Sequence, residues 1–529
     1  MIVKSTIPEL SIPNVSVTEY ALRHAGRLGD KPALIDGPSG RTLTYAQLAG
    51  AIRTVAAGLA ARGFSKGDVF AIYCPNIPEY AVIFNAVAML GGINTTINPL
   101  YTPGELANQL NDSKARFLVT VPPFLAQARE AAAQAAIEEI FVFGEGEGAT
   151  PFSALMEHGS EPPSVRIDPG EDLVVLPYSS GTTGLPKGVM LTHRNLVANM
   201  EQCLQMPGND AFLEDDTVIA VLPFFHIYGM VVVMKLFLAQ GATVVTMPKF
   251  DMVDFLETVQ KYKVTVTPLV PPIVLGLAKA PVVEQYDHSS LRVVFCGAAP
   301  LGEGVAREAS SRLKCQVMQG YGMTEASPVT HLTANLEKDY PLGSIGKVVP
   351  ATEVKIVDIE TGAALGPNEE GELLIRGPQI MKGYLNKPGE TAEAIDREGW
   401  YHSGDIGYFD EGGHFYIADR LKELIKYKGM QVAPAELEAL LLTHEAVLDA
   451  AVIPSPDEEA GEVPKAYLVL RGEVASPAVM GDEIMAWVAE RVAPHKRIRK
   501  LEFIEQVPKS ASGKILRRML VEQERAGSG

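Results

Sequence analysis

The chemistry of this chain gathers at Tyr178-Ser179-Ser180-Gly181-Thr182-Thr183-Gly184-Leu185-Pro186-Lys187-Gly188, where hydroxyls, three glycines and a lysine follow an apolar run at 172–177. Glycines at 181, 184 and 188 let backbone N–H groups turn inward, the Ser and Thr hydroxyls add donors, and Lys187 brings a mobile positive charge. Such a set makes a cradle for phosphate oxygens. The spacing is not that of a Walker A loop, because Lys187 follows Pro186 and precedes Gly188. Ser, Thr and Gly clusters taken alone usually mark surface loops. The weight therefore rests on the order of the whole string.

The elements that must position this loop alternate between helix and strand. Thr44-Tyr-Ala-Gln47 and Thr102-Pro-Gly-Glu105 are capping boxes, each predicting a helix, the first reaching about residue 61. Strands are expected at 68–74 and 115–121, a helix at 78–90, and a further helix in the Ala-rich stretch 126–136. This alternation predicts a layered α/β domain with parallel strands. In the central third, apolar runs at 218–222, 264–267, 291–296 and 315–318 end in loops rich in small, polar or aromatic residues. Ligands bind beyond the carboxyl ends of strands in open parallel sheets, so these loops are expected to converge with the phosphate loop on one crevice. After about residue 340 short strands at 353–357, 371–376 and 414–418 suggest a β subdomain, with Asp405 in a Gly-rich turn before the last of them. From 421 a small α+β unit is expected, with strands near 423–426, 448–453 and 465–470 and helices at 434–442 and 481–492.

A chain of 529 residues exceeds what one core organises, so two or more domains are expected. The boundary is read at 420/421, giving units 1–420 and 421–529. No apolar run approaches the roughly 20 residues that span a bilayer; Lys235 interrupts the best one, 231–239. With no signal-like N-terminus and no Ser-Lys-Leu tail, the expectation is a cytoplasmic protein without stable membrane insertion. The net charge of −18 argues against nucleic acid as a partner. Nine Lys/Arg between 491 and 518 form a local exception that suits either a polyanionic small molecule or a solvated face. Cys74, Cys203, Cys296 and Cys315 lie far apart and read as reduced thiols in or near the core, with neither disulfide nor zinc site.

The phosphate loop, residues 319–328, Tyr401-His-Ser-Gly404-Asp405, the run from Asp419 to Glu436, and Ser512-Gly513-Lys514 resemble, in order and spacing, the adenylate-forming superfamily of acyl-CoA synthetases, luciferases and nonribosomal adenylation domains. Leu222-Pro-Phe-Phe-His226-Ile-Tyr228 and Gln379-Ile-Met-Lys-Gly-Tyr-Leu385 look most like 4-coumarate:CoA and bacterial cinnamate:CoA ligases. The resemblance covers nearly the whole chain. It implies a large N-terminal domain of layered α/β subdomains plus a β subdomain, and a small mobile α+β C-terminal domain.

The implied activity is ATP-dependent ligation of a carboxylic acid to coenzyme A with Mg²⁺, through an acyl-adenylate, by a monomer or homodimer. Ser179, Ser180, Gly181, Thr182, Thr183, Gly184 and Lys187 would hold the triphosphate, Thr324 the α-phosphate and Glu325 the Mg²⁺. Ala298, Gln319, Gly320, Tyr321 and Gly322 would line the adenylate, with Asp405 and Arg420 at the ribose. Lys514 would bridge carboxylate and α-phosphate, and Lys426 and Gln431 would stand near that first step. Lys428, Gly429 and Lys249 would meet coenzyme A, and Lys422 would be the hinge on which the small domain turns between the two steps. Tyr228, Gly297, Gly322, Pro328 and Val329 would line the acid pocket, the glycines leaving room for a flat ring, with His226 as gate or ring contact or else a structural histidine. Ser327 departs from the Gly of the plant enzymes. The loop 224–229 lacks the acidic residue that an amino-acid substrate's ammonium would require, which favours a plain acid. Hydroxycinnamate leads; a medium-chain fatty acid, a luciferase-like oxidation and a non-catalytic AMP or acyl binder are the alternatives.

Overall fold

Helices begin where a side chain accepts the N–H groups that a first turn leaves unpaired. The computed structural model describes residues 1–529 apart from 8, 158, 160, 180–185, 207–211, 334–339, 429, 458, 473–476, 511–512 and 528–529. Both expected capping boxes form: the Thr44 N–H donates to Gln47 Oε1 at 2.9 Å and the Thr102 N–H to Glu105 Oε2 at 2.8 Å. The helices Tyr45–Ala61 and Pro103–Ser113 follow. Thr192 with Asn195 makes another box and opens His193–Leu204, using a shorter amide than the Glu or Gln of the usual pattern. Tyr45–Ala61 buries Leu48, Ile52, Val55, Ala56 and Leu59, the single face that helical spacing predicts.

Among the described residues the strands form four sheets. One runs Gly383–Tyr384, Lys187–Thr192, Leu173–Ser179, Ile93–Thr96, Val69–Tyr73, Ala115–Thr120, Glu139–Val142 and Thr150–Pro151. A second runs Lys347–Val348, Val329–Leu332, Gln316–Gly322, Val293–Cys296, Val266–Leu269, Thr217–Ala220, Thr243–Thr246, Pro32–Asp36 and Thr42–Thr44. Their central strands are parallel, as expected, but each sheet has antiparallel pairs toward a margin: Leu173–Ser179 with Lys187–Thr192 in the first sheet, Gln316–Gly322 with Val329–Leu332 in the second. The short connections at these margins permit hairpins, whereas parallel neighbours need a long crossover.

The third sheet is antiparallel and contains Ile2–Lys4, Glu353–Val357, Gly371–Arg376, Tyr401–Phe409 and Phe415–Arg420. Asp405, expected in a turn, is thus in the middle of a strand. The fourth sheet, in the C-terminal domain, runs Met430–Val432, Ile425–Tyr427, Gly461–Leu470 and Val447–Asp457, with Lys500–Phe503 parallel to Gly461–Leu470. It has its own core, in which Ile425, Val432, Leu437, Val452, Leu468 and Ile484 are buried together. The helices of this unit span Pro434–Leu441, Pro477–Ala489 and Arg517–Gly527.

Lys235, which breaks the apolar run at 231–239, is wholly buried. Its Nζ donates to Asn85 Oδ1 at 2.6 Å and lies 3.9 Å from the centroid of the Phe84 ring. Burial pushes its ammonium well below the ordinary lysine value. The four cysteines are free and buried, as expected. No helix among the described residues is long and apolar enough to cross a membrane.

Candidate active site

The phosphate-loop string lies across a hairpin. Ser179 stands opposite Lys187 and Tyr178 opposite Gly188. A Cβ at Gly188 would come 3.1 Å from the Tyr178 ring, so the glycine lets that ring lie close. The Tyr178 hydroxyl donates to Asp112 Oδ2 at 2.7 Å. Ser180, Gly181, Thr182, Thr183 and Gly184 are outside the described residues. Lys187 is ion-paired with Glu390 and sits 4.9 Å from the centroid of the Tyr384 ring. Glu325, buried in the turn Thr324–Ala326, accepts the Tyr384 hydroxyl on Oε1 at 2.9 Å.

Asp405 and Arg420 are cross-strand partners in the third sheet. Arg420 Nε lies 3.2 Å from Asp405 Oδ1, and the Tyr321 hydroxyl donates to Oδ2. Tyr321 arrives from the end of Gln316–Gly322 in the second sheet, so two sheets meet at this carboxylate. The C-terminal domain reaches the same place. A Cβ on Gly513 would lie 3.1 Å from Val270 Cγ2 and 3.5 Å from Pro272 Cδ, which shows the 513–514 loop resting on the N-terminal domain. Desolvation, then the nearby Arg420 charge, pushes the Lys514 ammonium down to about 8, against the opposing pull of Asp405, Glu325 and Glu423. Burial and the Lys514 charge push His226 down to about 4, so its imidazole is neutral at pH 7. A lysine from one domain therefore shares a charge cluster with a carboxylate and a guanidinium from the other.

Residues 22–385 match the AMP-binding enzyme family and residues 436–514 match the AMP-binding enzyme C-terminal domain. The chain belongs to the AMP-binding enzyme family. It is 46% identical to 4-coumarate–CoA ligase 2 of Petroselinum crispum, covering 98% of this chain and 96% of that one. It is 44% identical to 4-coumarate–CoA ligase of Pinus taeda, covering 98% and 96%. Among solved structures it superposes on an anthranilate CoA ligase in complex with anthranoyl-AMP with a TM-score of 0.90 at 27% identity, covering 98% of this chain and 99% of that one. It also resembles a benzoate CoA ligase from Burkholderia xenovorans LB400, with a TM-score of 0.87 at 25% identity over 96% and 99%.

In this AMP-binding enzyme the residues expected at the acid pocket fall into two contacting groups, Tyr228 with Gly297 and Gly322 with Pro328 and Val329. The Tyr228 hydroxyl donates to the Phe295 carbonyl at 3.1 Å, and a Cβ on Gly297 would meet the Tyr228 ring at 3.1 Å. A Cβ on Gly322 would come 2.1 Å from the Pro328 carbonyl oxygen, and one on Gly320 2.6 Å from the Phe295 ring. The glycines expected to leave room for a ligand ring thus first make room for protein. Val329 is fixed by its N–H to Asn199 Oδ1 at 3.0 Å. Ser327 is fully buried at φ 67°, and its hydroxyl donates to the Gln379 carbonyl at 2.9 Å. That left-handed backbone explains why glycine suits the position. Ala298 has φ 72° in the loop beside Gly297.

Other expected residues fall elsewhere. The Gln319 side chain is taken up by the backbone of Leu301 and Leu342 rather than presented to a ligand. Lys426 and Gln431 face one another across a small hairpin, but both are exposed. Lys428, at φ 47°, is exposed and ion-paired with Glu459; Gly429 lies outside the described residues. Lys249 and Lys422 are exposed. Much of the basic tail is neutralised inside its own domain, with Lys496 on Glu436, Lys509 on Asp449, and Arg517 on Glu423 and Glu438.

Sequence reasoning gives no role to Asn76, Thr96 or Glu390, nor to Tyr384 within the 379–385 motif. Asn76 donates to the Ala220 and Leu222 carbonyls and accepts the Phe224 N–H at 2.7 Å, while the Thr96 hydroxyl donates to the Phe225 carbonyl at 2.8 Å. These two residues of the first domain half hold the His226 loop. Their partners lie more than 100 positions away, and nothing local to either residue announces the contact.

Proposed function

We propose that this AMP-binding enzyme is an AMP-forming acid–CoA ligase acting on a hydroxycinnamate such as 4-coumarate or cinnamate. The observation that carries the reading is the meeting of Lys514 with Asp405, Arg420 and Glu325 across the two domains. The full-length similarity to 4-coumarate–CoA ligases supports the choice of acid.

In the first step a carboxylate oxygen attacks the α-phosphorus of ATP and pyrophosphate leaves, giving the acyl-adenylate. Lys514 offsets the negative charge that concentrates between acid and phosphate, and Lys187 takes the outer phosphates. Asp405 accepts from the ribose hydroxyls, and Arg420 keeps that carboxylate oriented. In the second step the CoA sulfur attacks the activated carbonyl carbon, the thiol proton is released and AMP leaves. Neutral His226 borders the acid without adding a charge that a flat aromatic acid would have to desolvate.

Glu325 fits a role at Mg²⁺. It is a buried carboxylate with Oε1 held by Tyr384, and among the described residues no three His, Cys, Asp or Glu side chains gather into an all-protein cage. Mg²⁺ commonly binds through one or two carboxylates plus substrate phosphates and water. When bound, it would supply positive charge to the triphosphate, and Glu325 would anchor it to the turn at 324–326.

The division into units 1–420 and 421–529, with Lys422 as hinge, completes the reading. Turning the small domain withdraws Lys514 after adenylation and brings the Lys428–Gly429 turn toward the acyl group. A cytoplasmic setting, where ATP and CoA are both at hand, belongs to the same proposal. The test is CoA-dependent thioester formation with 4-coumarate, cinnamate, caffeate, ferulate, benzoate and octanoate, for the wild type and Lys514→Ala. Thioester from the phenylpropenoids, with adenylation about 10²–10³-fold slower in the variant, is expected. Product from octanoate alone would overturn the substrate, and absence of adenylate from every acid would overturn the ligase.

A further inference from the structure

Tyr384 touches both charged ends of the phosphate site. It lies in the two-residue strand Gly383–Tyr384, opposite Val189 on the strand that begins with Lys187. Its ring carries the Lys187 ammonium 4.9 Å from the centroid, within the range of a cation–π contact. Its hydroxyl donates to Glu325 Oε1 at 2.9 Å. One rigid side chain with two torsions thus spans the distance between a lysine and a carboxylate more than 130 positions apart in the chain.

The surroundings favour a fixed geometry. Tyr384 is 8% exposed, and Glu325 likewise 8%. The Tyr384 N–H donates to Thr391 Oγ1 at 2.9 Å, tying the strand to the helix Pro388–Ala394. From that helix Glu390 pairs with Lys187 and accepts Lys387 Nζ at 3.0 Å. Lys187 is therefore held between a carboxylate and an aromatic face, while Glu325 has one oxygen fixed by the same aromatic residue.

We infer that Tyr384 is a positioning residue that sets Lys187 and Glu325 at one spacing, so that the triphosphate and its divalent cation are received as a unit. The inference rests on the ligase reading, which gives Lys187 the phosphates and Glu325 the metal. The two halves of the side chain separate its two effects. Removing the hydroxyl frees Glu325 and leaves the ring under Lys187; removing the ring disturbs both. Outer partners that orient a metal-binding carboxylate typically contribute about 10–100-fold in metal affinity.

The test is calorimetric titration of the full-length protein with ATP, in Mg²⁺ and again in EDTA, for wild type, Tyr384→Phe and Tyr384→Leu. Tyr384→Phe is expected to weaken ATP binding about tenfold in Mg²⁺ while staying within about twofold of wild type in EDTA. Tyr384→Leu should weaken both titrations. Melting curves accompany each variant; if the Leu variant does not fold, the Phe comparison alone decides. Wild-type affinity of Tyr384→Phe in Mg²⁺, or an equal loss with and without the metal, would overturn the inference while leaving the ligase intact. Failure of the wild type to bind ATP more tightly in Mg²⁺ would remove the metal role of Glu325 and this inference together.

Discussion

Arg420 and Asp405 face each other across adjacent antiparallel strands, with Nε 3.2 Å from Oδ1, and the Tyr321 hydroxyl holds the remaining oxygen of the same carboxylate. Both oxygens are thus oriented by groups from two sheets. On the ligase reading, a carboxylate fixed in this way meets a ribose diol without first having to be ordered. The arrangement also gives Arg420 two duties, since its charge orients Asp405 and depresses the Lys514 ammonium.

Asp405→Asn keeps the shape and removes the charge. Arg420 is then left without its carboxylate in a partly buried site, where an unmet charged group costs about 1–3 kcal/mol. The expected result is an ATP KM raised about tenfold or more, a melting temperature lowered by a few degrees, and a smaller change in kcat. Steady-state kinetics with ATP varied at saturating acid, alongside a thermal melt, checks this. A change in kcat alone would show that Asp405 acts on the chemistry and not on the nucleotide.

The proposed first step uses Lys514 as an ammonium, and its surroundings lower that group to about 8 in the free protein. The charged fraction therefore falls as pH rises through about 8, and kcat/KM for adenylation should fall with it, since that ratio follows the free enzyme. Arg420→Gln removes a neighbouring positive charge and should move the alkaline limb upward, whatever it does to the absolute rate. Pyrophosphate release measured from pH 6 to 10 for both proteins decides. A limb at the same pH in the variant would mean that another group controls it.

The parts of this site that were legible in the sequence are those written in contiguous residues. The run at 172–177 announces the strand Leu173–Ser179, and Thr44-Gln47 and Thr102-Glu105 announce helix starts, because caps and turns are local physics. Asp405 was misplaced into a turn because Tyr401-His-Ser-Gly-Asp405 has turn composition. Pairing with Gly371–Arg376 on one side and Phe415–Arg420 on the other overrides it. Asn76 gives no local signal, and the 379–385 motif that contains Tyr384 gives no hint of its contact: their partners, Phe224 and Glu325, are 148 and 59 positions distant. Lys426 and Gln431 matched a motif, yet an edge hairpin leaves both side chains in solvent.

Gly297 and Gly322 should respond differently to the same added methyl. At Gly322 the Cβ would meet the Pro328 carbonyl oxygen at 2.1 Å, a backbone atom that moves only if the 322–329 loop moves. At Gly297 it would meet the edge of the Tyr228 ring at 3.1 Å, which a small ring shift relieves. Gly322→Ala is expected to cost about 1–3 kcal/mol of stability and most of the activity. Gly297→Ala should fold normally and raise the KM of the acid by several-fold with the KM of ATP unchanged. Acid and ATP titrations of both variants, with melts, test the pair; equal damage at the two positions would contradict the geometry.

The junction of the two domains carries its own pH dependence. Asp419 Oδ2 accepts the Ala435 N–H at 2.8 Å, joining the strand Phe415–Arg420 to the start of the helix Pro434–Leu441. Glu438 on that helix accepts the Val452 N–H at 2.7 Å and Arg517 at 2.6 Å, while Arg517 also binds Glu423 at 2.5 Å. Three carboxylates surround one guanidinium, so the positive charge does not suffice for all. Burial raises Asp419 to about 6 and Glu438 to about 7, despite the lowering effect of Arg517. Folded values above the unfolded ones mean that the native state binds these protons more tightly. Their stabilising contribution is then fully present below the ordinary carboxylate range and is lost as pH rises through about 6 and then about 7. Glu438→Gln removes one of the two groups, so its melting temperature, taken relative to wild type, should climb between pH 5 and 8. The gain expected over that window is on the order of 2 kcal/mol. Thermal melts at half-unit intervals measure it, and a difference that stays flat or falls with pH would show that Glu438 is already ionised throughout.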